Sequence, residues 1–154
     1  SALRYRFVRG LQGSPVRYSD DDLTDIFDRS SGRCHLCHGG LAFTNYGQLG
    51  ERGAWEVEHS VARANGGSDL LNNLYAAHIR CNRSKGRRTT RTARGWHGKT
   101  RAPLSPGRRE AARTANAAGA GLAIGLLARA VWPQGWLLAG LVAALIGYDQ
   151  DPDR

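Results

Sequence analysis

Two tight pairs of soft-ligand residues, Cys34-x-x-Cys37 and His78-x-x-Cys81, constrain this chain more than any other feature. Thiolates and imidazoles presented as two couples from separate segments suit one tetrahedral zinc ion. Such an ion would staple residues near 34 to residues near 81 and dictate how everything between them folds. The chain has three cysteines, which cannot all pair, so a metal knuckle in a reducing compartment is expected rather than a disulfide framework. His35 and His38 are alternative ligands, which leaves the set open but not the site. With four protein ligands the shell is closed and the ion structural.

Local patterns place elements around this staple. Ser19 before Asp20, Asp21 and Asp22 predicts a helix start, since a hydroxyl caps free N–H groups and acids favour the positive end of the helix dipole. Leu23, Ile26 and Phe27 give that helix an apolar face, and Ser30-Ser31-Gly32 should end it. Trp55 to His59 reads as a strand, Asn65-Gly66-Gly67 as a turn, Leu74 to Ala77 as a return strand, and a helix follows from about Ile79. Leu3 to Val8 alternates apolar and basic residues and predicts a further short strand. The first ten residues carry no sustained apolar core, so no secretory leader is expected, and the absence of Met at position 1 points to a trimmed chain or a fragment.

Within this strand–loop–strand–helix segment stand Glu58-His59, Asn73, and Asn82 in Cys81-Asn82-Arg83-Ser84-Lys85-Gly86. Cys81 and Asn82 are about 100° apart on a helix, so one can face zinc and the other a second site. Lys85 shares the Asn82 face and could meet a phosphate. Regular pleating would send Glu58 and His59 to opposite sides of their strand unless it ends or twists there.

The combination resembles the HNH endonuclease family over roughly Arg33 to Arg87, about a third of the chain. His78, where relatives often have Cys, and Glu58, where many have Asp, depart from its pattern. The resemblance implies an α+β fold: a small ββα-metal (His-Me finger) core stabilised by zinc. It implies that His59 is the general base, that Asn73 fixes the loop and orients the base, and that Glu58 and Asn82 hold a catalytic divalent cation. Mg²⁺ or Mn²⁺ suits such hard oxygen donors. The implied activity is hydrolysis of DNA phosphodiesters to 5′-phosphate and 3′-hydroxyl ends.

Charge agrees with a polyanionic partner. The formal net charge is +9, and Ile79 to Arg113 holds ten Arg and two Lys against a single acid, Glu110. Arg80, Arg83, Lys85, Arg87 and Arg88 are candidate phosphate contacts, and Trp96 and His97 could stack on bases. No segment reads as a dedicated base-reading helix, so weak sequence preference is expected.

Beyond a basic linker at 89–110, residues 111–148 read as an apolar helical hairpin broken at Trp132-Pro133-Gln134-Gly135-Trp136. Gly121-x-x-x-Gly125 and Gly140-x-x-x-Ala144 would allow close helix approach. The run from Ala115 to Tyr148 carries one charge, Arg129, and predicts attachment to membrane lipid, with the basic flank on the cytoplasmic face. The first half would cover about 28 Å and the second about 18 Å, so insertion could be shallow or kinked. A packed hairpin or a homodimer is the soluble alternative. Residues 1–18 are then an N-terminal extension, 19–88 the nuclease domain, and 149–154 an acidic tail. The rival for the whole chain is a zinc-stabilised nucleic-acid-binding module or membrane adaptor that does not cut.

Overall fold

The computed structural model describes residues 18–132 and 134–153, so the strand expected at Leu3 to Val8 lies outside the described residues. The chain divides into two compact units, one ending at Ser105 and the other beginning at Pro106. The first is α+β, with helix α1 (Asp20–Asp28), antiparallel strands β1 (Trp55–His59) and β2 (Leu74–His78), and helices α2 (Ile79–Lys85) and α3 (Thr90–Gly95).

Ser19 caps α1 as its sequence suggests. Its Oγ accepts from the Asp22 N–H at 3.0 Å, and the Asp22 carboxylate accepts from the Ser19 N–H at 3.0 Å. This reciprocal box satisfies two orphan donors at the helix start. Ser19→Ala should lower the unfolding free energy by about 1 kcal/mol, measured by denaturant titration. An unchanged transition midpoint would show that α1 is fixed by packing alone.

The register runs from Trp55 opposite His78 to His59 opposite Leu74, and residues of one parity share a face. Trp55, Leu74 and Ala76 meet Leu23 and Ile26 of α1, with Phe27, Tyr46 and Val57 packed around them. The opposite face carries Glu56, Glu58, Tyr75 and Ala77. There a second cluster joins Cys34, Leu36, Ala77 and Ala93, three of them small. Small residues bury little apolar area, so this half depends on something other than hydrophobic packing.

Two adjacent glycines tighten the loop between the strands for different reasons. Gly66 sits at φ 81°, and a Cβ on Gly67 would collide with the Val61 carbonyl oxygen. The segment expected as a linker at 89–110 is partly ordered instead. Thr89 caps α3 by accepting from the Thr92 N–H at 3.1 Å, and Thr90 and Ala93 are buried. Its arginines masked this in the sequence, because only Ala93 marks an inward side.

The second unit is a helical hairpin of α4 (Pro106–Val131) and α5 (Trp136–Asp149), starting five residues before the expected boundary at 111. Its seam is made of the small residues anticipated. A Cβ on Gly121 would lie 3.1 Å from the Gly140 carbonyl oxygen, and one on Gly140 would lie 3.0 Å from that of Gly121. By length and composition α4 could cross a bilayer. Leu122, Leu126, Leu127, Leu137, Leu141 and Leu145 are all exposed, so the pair offers apolar surface away from its seam. The supposed acidic tail folds back, with Asp151 and Asp153 both pairing with Arg109.

Candidate metal centre and active site

The zinc ligands expected from spacing converge. One donor atom from each of Cys34, Cys37, His78 and Cys81 lies within 4.8 Å of the other three. Tetrahedral zinc with bonds near 2.1–2.3 Å sets its ligands about 3.5–3.8 Å apart, so the group needs little adjustment to close on an ion. His78 Nδ1 is 3.3 Å from Cys37 Sγ, while its Nε2 is 3.1 Å from the Gly40 carbonyl. An Nε2–H donated to that carbonyl leaves Nδ1 as the ligating atom, the usual outer support of a metal-bound histidine. The Gly39 N–H points at Cys37 Sγ and the His78 N–H at Cys34 Sγ.

The titration of the metal-free cluster reflects its crowding. Hydrogen bonds from Cys34 and Cys81 lower the Cys37 thiol, and hydrogen bonds with Cys34 and Cys37 raise the Cys81 thiol. The same two sulfurs push His78 up to about 10. A cation at the centre would replace these shared protons. His35 and His38 are outside the set: His35 stacks on Tyr75 with centroids 3.8 Å apart, and His38 Nε2 is 3.0 Å from the Arg101 carbonyl.

Beside the cluster, α2 runs along β1 and sends Asn82 and Lys85 onto the face of Glu56 and Glu58. Asn82 Nδ2 donates to Glu56 Oε1 at 3.0 Å, so its carboxylate neighbour is Glu56, not the expected Glu58. Period-2 alternation placed both glutamates on one face and could have flagged Glu56. Asn82 and Glu56 thus lie side by side, and their oxygens are of the hard type that Mg²⁺ prefers.

Glu58 is fully buried, with Lys85 Nζ 2.9 Å from Oε1. Burial raises the Glu58 carboxyl above the usual range, and Lys85 opposes that shift. Oε1 is thus engaged by the Lys85 ammonium, while Oε2 has no hydrogen-bond partner among the described residues and retains acceptor capacity. His35 approaches at 3.8 Å but forms no ion pair, because burial and then Arg94 depress it to about 2 and keep it neutral.

Lys85 corrects the sequence reading. At 1% exposure it cannot meet a phosphate; its ammonium instead donates to the His59 carbonyl at 2.8 Å and ties the end of β1 to α2. Arg94 also turns inward, donating through Nε to the His35 carbonyl at 2.9 Å. Arg80, Arg83, Arg87 and Arg88 remain exposed, with the Arg88 guanidinium 5.5 Å from the centroid of exposed Trp96. Arg83 also lies 3.7 Å from Glu56.

His59 follows the pleat to the side opposite Glu58, at the strand's end. Its Nε2 is 2.7 Å from Asp69 Oδ1, and Arg63 Nε lies 2.8 Å from the same oxygen. No hydrogen bond joins the Asn73 side chain to His59 among the described residues. Its Oδ1 accepts from the Val61 N–H at 2.8 Å, and Nδ2 donates to the carbonyls of Val61 at 3.0 Å and Ser68 at 2.8 Å. It therefore clamps the loop that brings Asp69 back to His59. The Gly66-Gly67-Ser68-Asp69 turn contained that acid, but nothing in one sequence tied it to the histidine.

The HNH endonuclease family model matches residues 34–88, from the first cysteine of the cluster through Arg88. No curated protein and no solved structure matches the chain significantly. The matched segment contains both ligand pairs, both strands, the Asn73-clamped loop and α2. Residues 34–88 are therefore similar to the HNH endonuclease family, whose domains are associated with nuclease function.

Proposed function

We propose that this chain is a metal-dependent endonuclease that hydrolyses DNA with weak sequence preference. The observation carrying this reading is His59: a half-buried imidazole held at the end of β1, on a zinc-type ββα core, within the matched segment. An imidazole can take a proton from water near neutral pH. The resulting hydroxide attacks phosphorus, the bond to the 3′ oxygen breaks, and that oxygen acquires a proton from solvent. Glu58 and Asn82, with Glu56 as a further donor, would hold Mg²⁺ or Mn²⁺. Such an ion supplies charge neutralisation on the nonbridging and leaving oxygens. Arg80, Arg83, Arg87 and Arg88 would bind phosphates with little base information. Supercoiled plasmid should be nicked when Mg²⁺ or Mn²⁺ is added and spared in chelator.

Complete burial of Glu58 against Lys85 favours a second reading, a DNA-binding module that does not cut. It predicts salt-sensitive DNA binding with no cleavage in any divalent cation.

The hairpin is proposed to attach the domain to the cytoplasmic face of a membrane. Its exposed leucines, its small-residue seam and the confinement of charge largely to the base support this reading. The apolar part of α4, residues 115–131, would reach about 25 Å into a hydrocarbon core of about 30 Å. The full chain should float with anionic liposomes in a density gradient, and a chain ending at Ser105 should stay at the bottom. A soluble full-length monomer that ignores liposomes would refute attachment.

A further inference from the structure

We infer that Asp69, braced by Arg63, is the positioning residue that makes His59 Nδ1 the proton acceptor. The inference rests on the nuclease reading for its catalytic consequence, though not for its geometry. Asp69 Oδ1 lies 2.7 Å from His59 Nε2, a distance at which an Nε2–H donates to a carboxylate. No described residue hydrogen-bonds His59 Nδ1. A proton held on Nε2 leaves a lone pair on Nδ1, so the ring carries its acceptor on the side away from Asp69. In the opposite tautomer, two acceptors would face each other at 2.7 Å. Arg63 Nε also lies 3.1 Å from His59 Nε2, but its N–H has the closer, charged acceptor in Asp69 Oδ1 at 2.8 Å, which leaves Nε2 to donate.

Three features hold the carboxylate there. Arg63 donates to the same Oδ1 through Nε at 2.8 Å and lies 2.6 Å from it through Nη2. Asn73 Nδ2 pins the Ser68 carbonyl, one residue before Asp69. Gly67 permits the close approach to Val61 that turns the loop back. The Asn73 clamp thereby acts on the base through Asp69, not by a side-chain hydrogen bond of its own. Asp69 is half exposed and His59 much less so, with side chains at 51% and 14%, which suits an orienting group at the rim of a site.

The test combines imidazole ¹H–¹⁵N spectroscopy with cleavage kinetics on the full chain, with His59→Gln used to assign the ring signals. In the wild type, His59 should show a protonated Nε2 with a downfield, slowly exchanging Hε2 and an unprotonated Nδ1. Asp69→Ala should lose the downfield Hε2 and reduce kcat on the order of tenfold to a hundredfold with little change in KM. Asp69→Asn, whose amide can present N–H to Nε2 and drive the proton to Nδ1, should not restore the rate, whereas Asp69→Glu, which keeps the carboxylate, should restore part of it. A His59 ring spectrum unchanged by Asp69→Ala overturns the inference, whatever the cleavage assay reads. An Asp69-dependent ring spectrum in a wild-type protein that never cuts upholds the pairing and overturns the nuclease reading alone.

Discussion

Removing the ion from the Cys34, Cys37, His78 and Cys81 cluster should unfold the sheet and α2 while leaving α4 and α5 helical. The cluster joins the Cys34–Cys37 turn to the start of α2, where the other ties are single hydrogen bonds such as that from the His35 N–H to the Ala76 carbonyl at 2.8 Å. The core around it is made of Cys34, Leu36, Ala77 and Ala93, too little apolar area to hold the two segments together. Structural zinc sites in small modules contribute roughly 10–16 kcal/mol at neutral pH, comparable to the whole stability of a domain. Hydrogen exchange reads the two units separately. With a strong chelator, or in Cys81→Ser, amides of β1, β2 and α2 should lose protection. Purified folded protein should contain one zinc per chain. Protection that survives demetallation would show that packing alone holds the core.

His59→Ala should abolish plasmid nicking while leaving zinc content and DNA binding in place. A positioned general base is worth about 10²- to 10⁴-fold in rate, so residual activity should approach background. The substitution removes a side chain at the strand's end and leaves the backbone carbonyl that Lys85 binds. It should not expose the buried Glu58–Lys85 pair, and the fold should therefore persist. Wild-type nicking no faster than that of His59→Ala would end the catalytic assignment. Equal DNA affinity with lost cleavage would separate chemistry from the arginine contacts on α2 and beyond it.

The elements that were legible in the sequence are those set by local rules. The Ser19 cap, the strand at Trp55–His59, the return strand expected at Leu74 to Ala77 and observed one residue longer, and the helix from Ile79 were legible because capping and alternation act over a few residues. The four-residue metal cluster was legible because ligand spacing is itself a local property. The small-residue seam of the hairpin was legible too, since only residues without large side chains let two helices approach so closely. The helix inside the supposed linker was not, because six residues rich in Arg and Thr show little periodicity until α3 finds the face of Ala77 and His35.

What the sequence by itself determined, then, is the kind of chemistry available: a zinc-type clamp, a histidine at a strand's end, hard oxygen donors, and a basic flank. Tertiary structure alone decided which partners meet. Asn82 met Glu56 because α2 runs alongside β1 and matches it residue for turn, a register invisible in either segment. Lys85 went inward because a buried carboxylate at position 58 demands a counter-charge, which outweighs the pull of solvent or phosphate on one ammonium. Asp69 met His59 because a loop closed by Asn73 returns over ten residues to the strand it left. Such contacts depend on the path of the backbone in three dimensions, which residue type and spacing do not encode.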